Sequence, residues 1–158
     1  MRYARNLFAM PLAVTALGLT LTLGAPAIAA EEHDHDHASM QLQLDHGRKW
    51  KIDAVVHRGM DEIRTAMVKS APDIHKKTFT PEQYEALGAH IMTQINDMVI
   101  NCKLPEETDA QFHIIITQIT NGVEEMKTLP DPGQGVEKII RALADYGKYF
   151  THAGWRPL

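Results

Sequence analysis

Apolar residues recur along this chain at spacings of three and four, the period of a helix with one buried face. Four such stretches can be read, separated by breaker residues. The first runs from about 44 to 69 and carries Ile52, Val56, Gly59, Ile63 and Met67 on one stripe; Ala71-Pro72-Asp73 ends it. The second has a sharp start, with Thr80 placed to cap, Pro81 at the first helical position and Gln83 at the third. Its stripe is Tyr84, Leu87, Ile91, Ile95, Met98 and Cys102. The third opens on Pro105, Glu106 and Glu107, acids that suit the positive end of a helix dipole. Its stripe is Phe112, Ile116, Ile119, Val123 and Met126, and the stretch 129–133, with two prolines, breaks it. The fourth, from about 135 to 150, buries Val136, Ile139, Ile140, Leu143, Tyr146 and Phe150. No alternating strand pattern and no internal repeat is present. Four helices with short links predict an all-α, antiparallel up-down four-helix bundle over 44–158.

The segment before the bundle has a different character. Arg2 and Arg5 give a positive start, an uncharged apolar run follows from Leu12 to Leu23, and Ala25-Pro26-Ala27-Ile28-Ala29-Ala30 offers small residues at a peptidase's spacing. Residues 1–30 therefore read as a secretory signal, cleaved after Ala29 or Ala30, with the periplasm as destination. The apolar run is shorter than the roughly 20 residues a bilayer span needs, so no membrane span is expected after cleavage. Loss of this leader removes Arg2 and Arg5 and no acid, which takes the formal charge from -4 to -6. A mildly acidic surface argues against nucleic acid as a partner. Residues 31–43 are polar and without apolar period, the pattern of a disordered tail.

The candidate chemistry is metal binding. The chain has nine histidines, all beyond the leader. In the tail, His33-Asp34-His35-Asp36-His37 strings three imidazoles and two carboxylates together, a set that suits copper, nickel or zinc. A cut after Ala30 would place His33 third from a free amine, where amine, backbone amides and imidazole hold Cu(II) or Ni(II) in a square plane.

Cys102 is the single cysteine, so an internal disulfide is impossible and the thiol is either buried, bridging, reactive or metal-binding. Up-down topology brings it to one bundle end with Met98, His113 and His152, and with His46 and Trp50. A thiolate, two imidazoles and a thioether favour thiophilic copper. Against this stands the ordinary role of a lone Cys or Met on an apolar stripe, which is packing. His57, one turn after Asp53, reads as half of a surface pair. His75 and His90 read as structural or solvated. No Gly-x-Ser-x-Gly, His-Glu-x-x-His or phosphate loop is present, so no enzyme is expected.

Two resemblances bear on this picture. Gln111-Phe112-His113, Gln118-Ile119 and Tyr149-Phe150-Thr151-His152 are similar to segments of cytochrome b562. The chain resembles exported four-helix bundles of the cytochrome b562 and c′ kind over about a third of its length beyond the leader. That resemblance implies the bundle fold. Without Cys-x-x-Cys-His, covalent haem is excluded; non-covalent haem b would need Met40 and His152. Cys102-Lys103-Leu104, His113 and the run Tyr149 to Trp155 also resemble a pattern carried by small proteobacterial periplasmic proteins, which implies no particular activity.

The expectation is a periplasmic transition-metal protein, copper foremost, for storage, delivery or resistance. Its bundle site would be Cys102, His113, Met98 and His152, with His33, His35 and His37 as a capture tail. Its partners would be the ion and a metal-delivery protein or a second copy of the chain. The alternatives are a structural or protein-interaction bundle and a haem b carrier.

Overall fold

A computed structural model describes residues 41–158; the leader, the His33, His35 and His37 tail and Met40 lie outside the described residues. The element order is β1 (Trp50–Lys51), α1 (Ala54–His75), α2 (Pro81–Asn101), α3 (Glu106–Thr128), α4 (Gly133–Tyr149) and β2 (Phe150–Thr151). Packing runs in sequence, α1 on α2, α2 on α3 and α3 on α4, which is an up-down four-helix bundle. The expected stripes supply the core: Val56, Ile63 and Met67 of α1, Leu87, Ile91, Ile95 and Met98 of α2, Phe112, Ile119, Val123 and Met126 of α3, and Val136, Ile139, Leu143 and Tyr146 of α4.

Helix α2 begins as its sequence directs. Gln83 N–H donates to Thr80 Oγ1 while Thr80 N–H donates to Gln83 Oε1, so two otherwise orphaned donors are satisfied reciprocally. The first helix departs from expectation at both ends. It starts at Ala54 rather than near 44, because Asp53 in extended conformation accepts from Val56 N–H and caps it. It also continues through Pro72 to His75. A proline this close to a helix end forfeits one backbone bond without breaking what precedes it.

The residues before Asp53 are not helical. Asp45 and Arg48 close a tight turn through mutual backbone bonds, with Gly47 at positive φ. Trp50–Lys51 then pairs in parallel with Phe150–Thr151, Trp50 opposite Phe150 and Lys51 opposite Thr151. No apolar alternation marks this pair, which is too short to show one. It decides where the chain goes after α4. Because β1 leads directly into α1, a strand beside β1 delivers residue 152 to the first turns of α1.

Candidate metal centre

His152 arrives at α1 as a buried side chain, only 1% exposed, and meets two residues one helical turn apart on that helix. Its Nε2 lies 3.2 Å from Asp61 Oδ1, and His57 Nδ1 lies 3.2 Å from Asp61 Oδ2. One carboxylate therefore stands between two imidazoles. The two rings stack with centroids 3.7 Å apart and planes 28° from parallel. Positions 57 and 61 face the same side because residues four apart on a helix are neighbours. The ligand atoms of His57, Asp61 and His152 lie within 4.8 Å of one another, and among the described residues this is the one group of three His, Cys, Asp or Glu side chains that could hold a metal ion by that measure.

The inner side of His152 is fully engaged. Tyr146 Oη and His152 Nδ1 are 2.9 Å apart in the buried interior. Tyr146 packs edge-on against Trp155 and stacks on Phe150, and Trp155 in turn leans on the His152 ring. A tight turn, Trp155 N–H donating to His152 C=O, folds this segment back on α4. Burial, reinforced by the negative charge of Asp61, pushes the Tyr146 phenol well above its ordinary range, so it stays protonated. Its hydroxyl donates to Nδ1 and leaves the ring proton on Nε2.

That Nε2 is buried and makes no well-formed hydrogen bond; the Asp61 carboxylate 3.2 Å away holds it by a weak contact and by charge. Burial pulls the His152 pKa below its usual value; Asp61 opposes the shift and His57 adds to it. At neutral pH His152 is thus a neutral imidazole, and its Nε2 becomes a ligand once the ring proton moves to Nδ1.

The residues expected to form one site occupy three places. Met98 is fully buried, with its thioether in the notch left by Gly59, where a Cβ would approach the sulfur to 2.5 Å. Cys102 ends α2, its N–H bonded to Met98 C=O, with its Sγ 4.0 Å from Asp109 Oδ1. Burial first, then the charges of Asp109 and Asp53, push its thiol pKa up and disfavour the thiolate a metal needs. His113 is half-exposed; its Nδ1 hydrogen-bonds the Asp109 backbone C=O at 3.0 Å and lies 3.3 Å from the second carboxylate oxygen of Asp109. Cys102 and His113 therefore share a carboxylate, while His152 joins His57 and Asp61. His46 sits in the exposed Asp45–Arg48 turn with its side chain 92% exposed.

Sequence reasoning missed two members. His57 pairs forward with Asp61, not back to Asp53, which is occupied by the amides of Val56 and Lys103. The signal that could have found them is a His and an Asp four apart on a helix. Their meeting with His152 rests on the strand pair, which no local pattern announces. Comparison of the chain with protein-family models, curated proteins and solved structures finds no match.

Proposed function

We propose that this protein binds a divalent transition metal, copper foremost with zinc as competitor, through His57, Asp61 and His152, for storage, delivery or resistance in the periplasm. The observation that carries the reading is the buried, neutral His152 imidazole whose Nε2 makes no well-formed hydrogen bond beside a carboxylate and a second imidazole. A thiolate and thioether would select monovalent copper, whereas two imidazoles and a carboxylate suit Cu(II) or Zn(II). Three protein ligands leave a coordination position open.

His57 and Asp61 are 39% and 52% exposed at their side chains, so the ion reaches the site from that face and can leave by it. His152 is the fixed ligand and His57 the mobile one. The two rings are stacked 28° from parallel, so His57 would have to turn out of the stack for both imidazoles to hold one ion. With an ion held at Nε2, His152 would carry its proton on Nδ1 and donate it to Tyr146 Oη. Such outer hydrogen bonds fix ring orientation at metal sites. The histidines of the tail would gather ions and raise their local supply.

The test is a titration of the full chain carrying His33→Ala, His35→Ala and His37→Ala with Cu(II) and Zn(II), read by calorimetry against a competing chelator. One equivalent should bind tightly. His152→Ala should weaken it by about 100-fold or more, and Cys102→Ser should leave it unchanged. A tight site that disappears in Cys102→Ser would move the centre to the Asp109 end. No stoichiometric binding once the tail histidines are gone would make the His57–Asp61–His152 cluster a polar fastening.

A further inference from the structure

Helices α1 and α4 are the two neighbours of the bundle that do not pack closely on each other, and the residues after β2 run along the seam between them. These residues are tied to α1 twice. His152 meets His57 and Asp61, and further along Arg64 Nε donates to Arg156 C=O at 2.6 Å. Beyond the second tie the seam opens into a cavity of about 340 Å³. Its walls are Met67, Ala71 and Ile74 of α1 with Val136 and Ile140 of α4, and Pro157 and Leu158 close one side. The volume falls at the lower end of the range of small-molecule sites, about 300–1,000 Å³.

Three observations say what it would hold. Val68 and Leu158, at 45% and 44% exposed, are among the large apolar side chains left facing solvent, and both line this cavity. Its walls therefore remain wet where a ligand would dry them. No acidic side chain lines it, in a chain with more acids than bases. The two titratable side chains at its rim are bases, Arg64 and His75, eleven positions and so about 16 Å apart along α1. Arg64 is half-buried, the bond from Nε is its one hydrogen bond among the described residues, and no acidic side chain among them pairs with the outer nitrogens of its guanidinium. A half-buried guanidinium presents a fork suited to a carboxylate.

We infer that the α1–α4 seam is a binding site for a single-chain amphiphile with an anionic head, the alkyl chain lying between α1 and α4 and the head paired with Arg64. The site is separate from the His57–Asp61–His152 centre, although one segment of chain walls the cavity and supplies His152.

The experiment is a titration of the full chain with decanoate, kept below its micelle concentration and followed by two-dimensional NMR. Decyltrimethylammonium serves as the same tail with the opposite head. Decanoate should saturate one site, with shifts centred on 67–74 and on Val136 and Ile140, and the cationic amphiphile should bind at least tenfold more weakly. Ala71→Glu, which puts an acid in the alkyl path, should abolish binding. Arg64→Gln should weaken decanoate about tenfold, and Arg64→Lys should recover most of that loss. Absence of saturation, equal binding of both heads, or indifference to Ala71→Glu would each overturn the inference. A loss in Arg64→Lys as large as in Arg64→Gln would overturn the role given to the Arg64 charge.

Discussion

His152 is a base kept where its charged form is disfavoured. An unfolded chain takes up this proton near pH 6.5. The folded chain resists it, because burial lowers the pKa more than Asp61 restores it. Below about pH 6.5 the unfolded state therefore binds more protons than the folded one, and by linkage stability falls as pH drops toward the depressed folded value. Above that pH both states hold a neutral ring and the full contribution is present. Chemical denaturation from pH 7.5 down to pH 5 should show this decline, and His152→Gln should flatten it. An unchanged slope in that variant would assign the pH dependence to other groups. Cys102 illustrates the opposite sign of the same physics. Burial and two carboxylates keep it a thiol, so a position that composition singled out is the less reactive for its surroundings.

At the scale of elements, local chemistry settled helix starts more reliably than apolar spacing did. Thr80 with Gln83 marked α2 correctly because the capping bonds are local. Apolar spacing extends the first helix too far at its start because it cannot register that Asp53 caps at Val56 N–H, nor that Trp50–Lys51 finds a distant partner. The tightest joint lies between α3 and α4. A Cβ on Gly135 would fall inside contact distance of the backbone of Met126 and Gly122. Backbone cannot move aside as a flexible side chain can, so the helices would have to separate. Overpacking of this kind typically costs about 1–3 kcal/mol. Gly135→Ala should destabilise by at least about 2 kcal/mol in urea unfolding, despite alanine's better helix propensity. A neutral or stabilising result would mean the two helices are not this close.

For the whole molecule, the α1–α4 seam is where the proposed functions meet. A metal at His57, Asp61 and His152 would fasten the segment after α4 to the first helix and so close the bundle. Binding only to the folded state stabilises it, by about 2.7 kcal/mol at a free ion concentration of 100 Kd. Hydrogen exchange with and without Zn(II), on the variant lacking the tail histidines, should slow at 150–156 and in the first turns of α1. The α2–α3 contact should change no more than global stabilisation requires. Protection spread evenly over the molecule would argue that the ion does not tie this segment.

The chain's own pattern determined the four helices, most residues of the core and the start of α2, while Met60, Ile115 and Ala142 joined the core from outside the expected stripes. Periodicity and capping depend on neighbours three or four positions apart, and such relations can be read from one sequence. Histidine density pointed to metal chemistry, and the fold supplies a cluster that could hold an ion. Tertiary structure alone decided which histidines meet. His57 and Asp61 are local to each other, but His152 lies more than ninety positions away. It reaches them because Phe150–Thr151 pairs beside Trp50–Lys51 and redirects the chain. The bundle end named from topology was too coarse a guide. Up-down connectivity says which residues share an end, while the direction of each side chain within that end is set by packing. Packing sent Met98 into the Gly59 notch and left Cys102 and His113 on either side of Asp109.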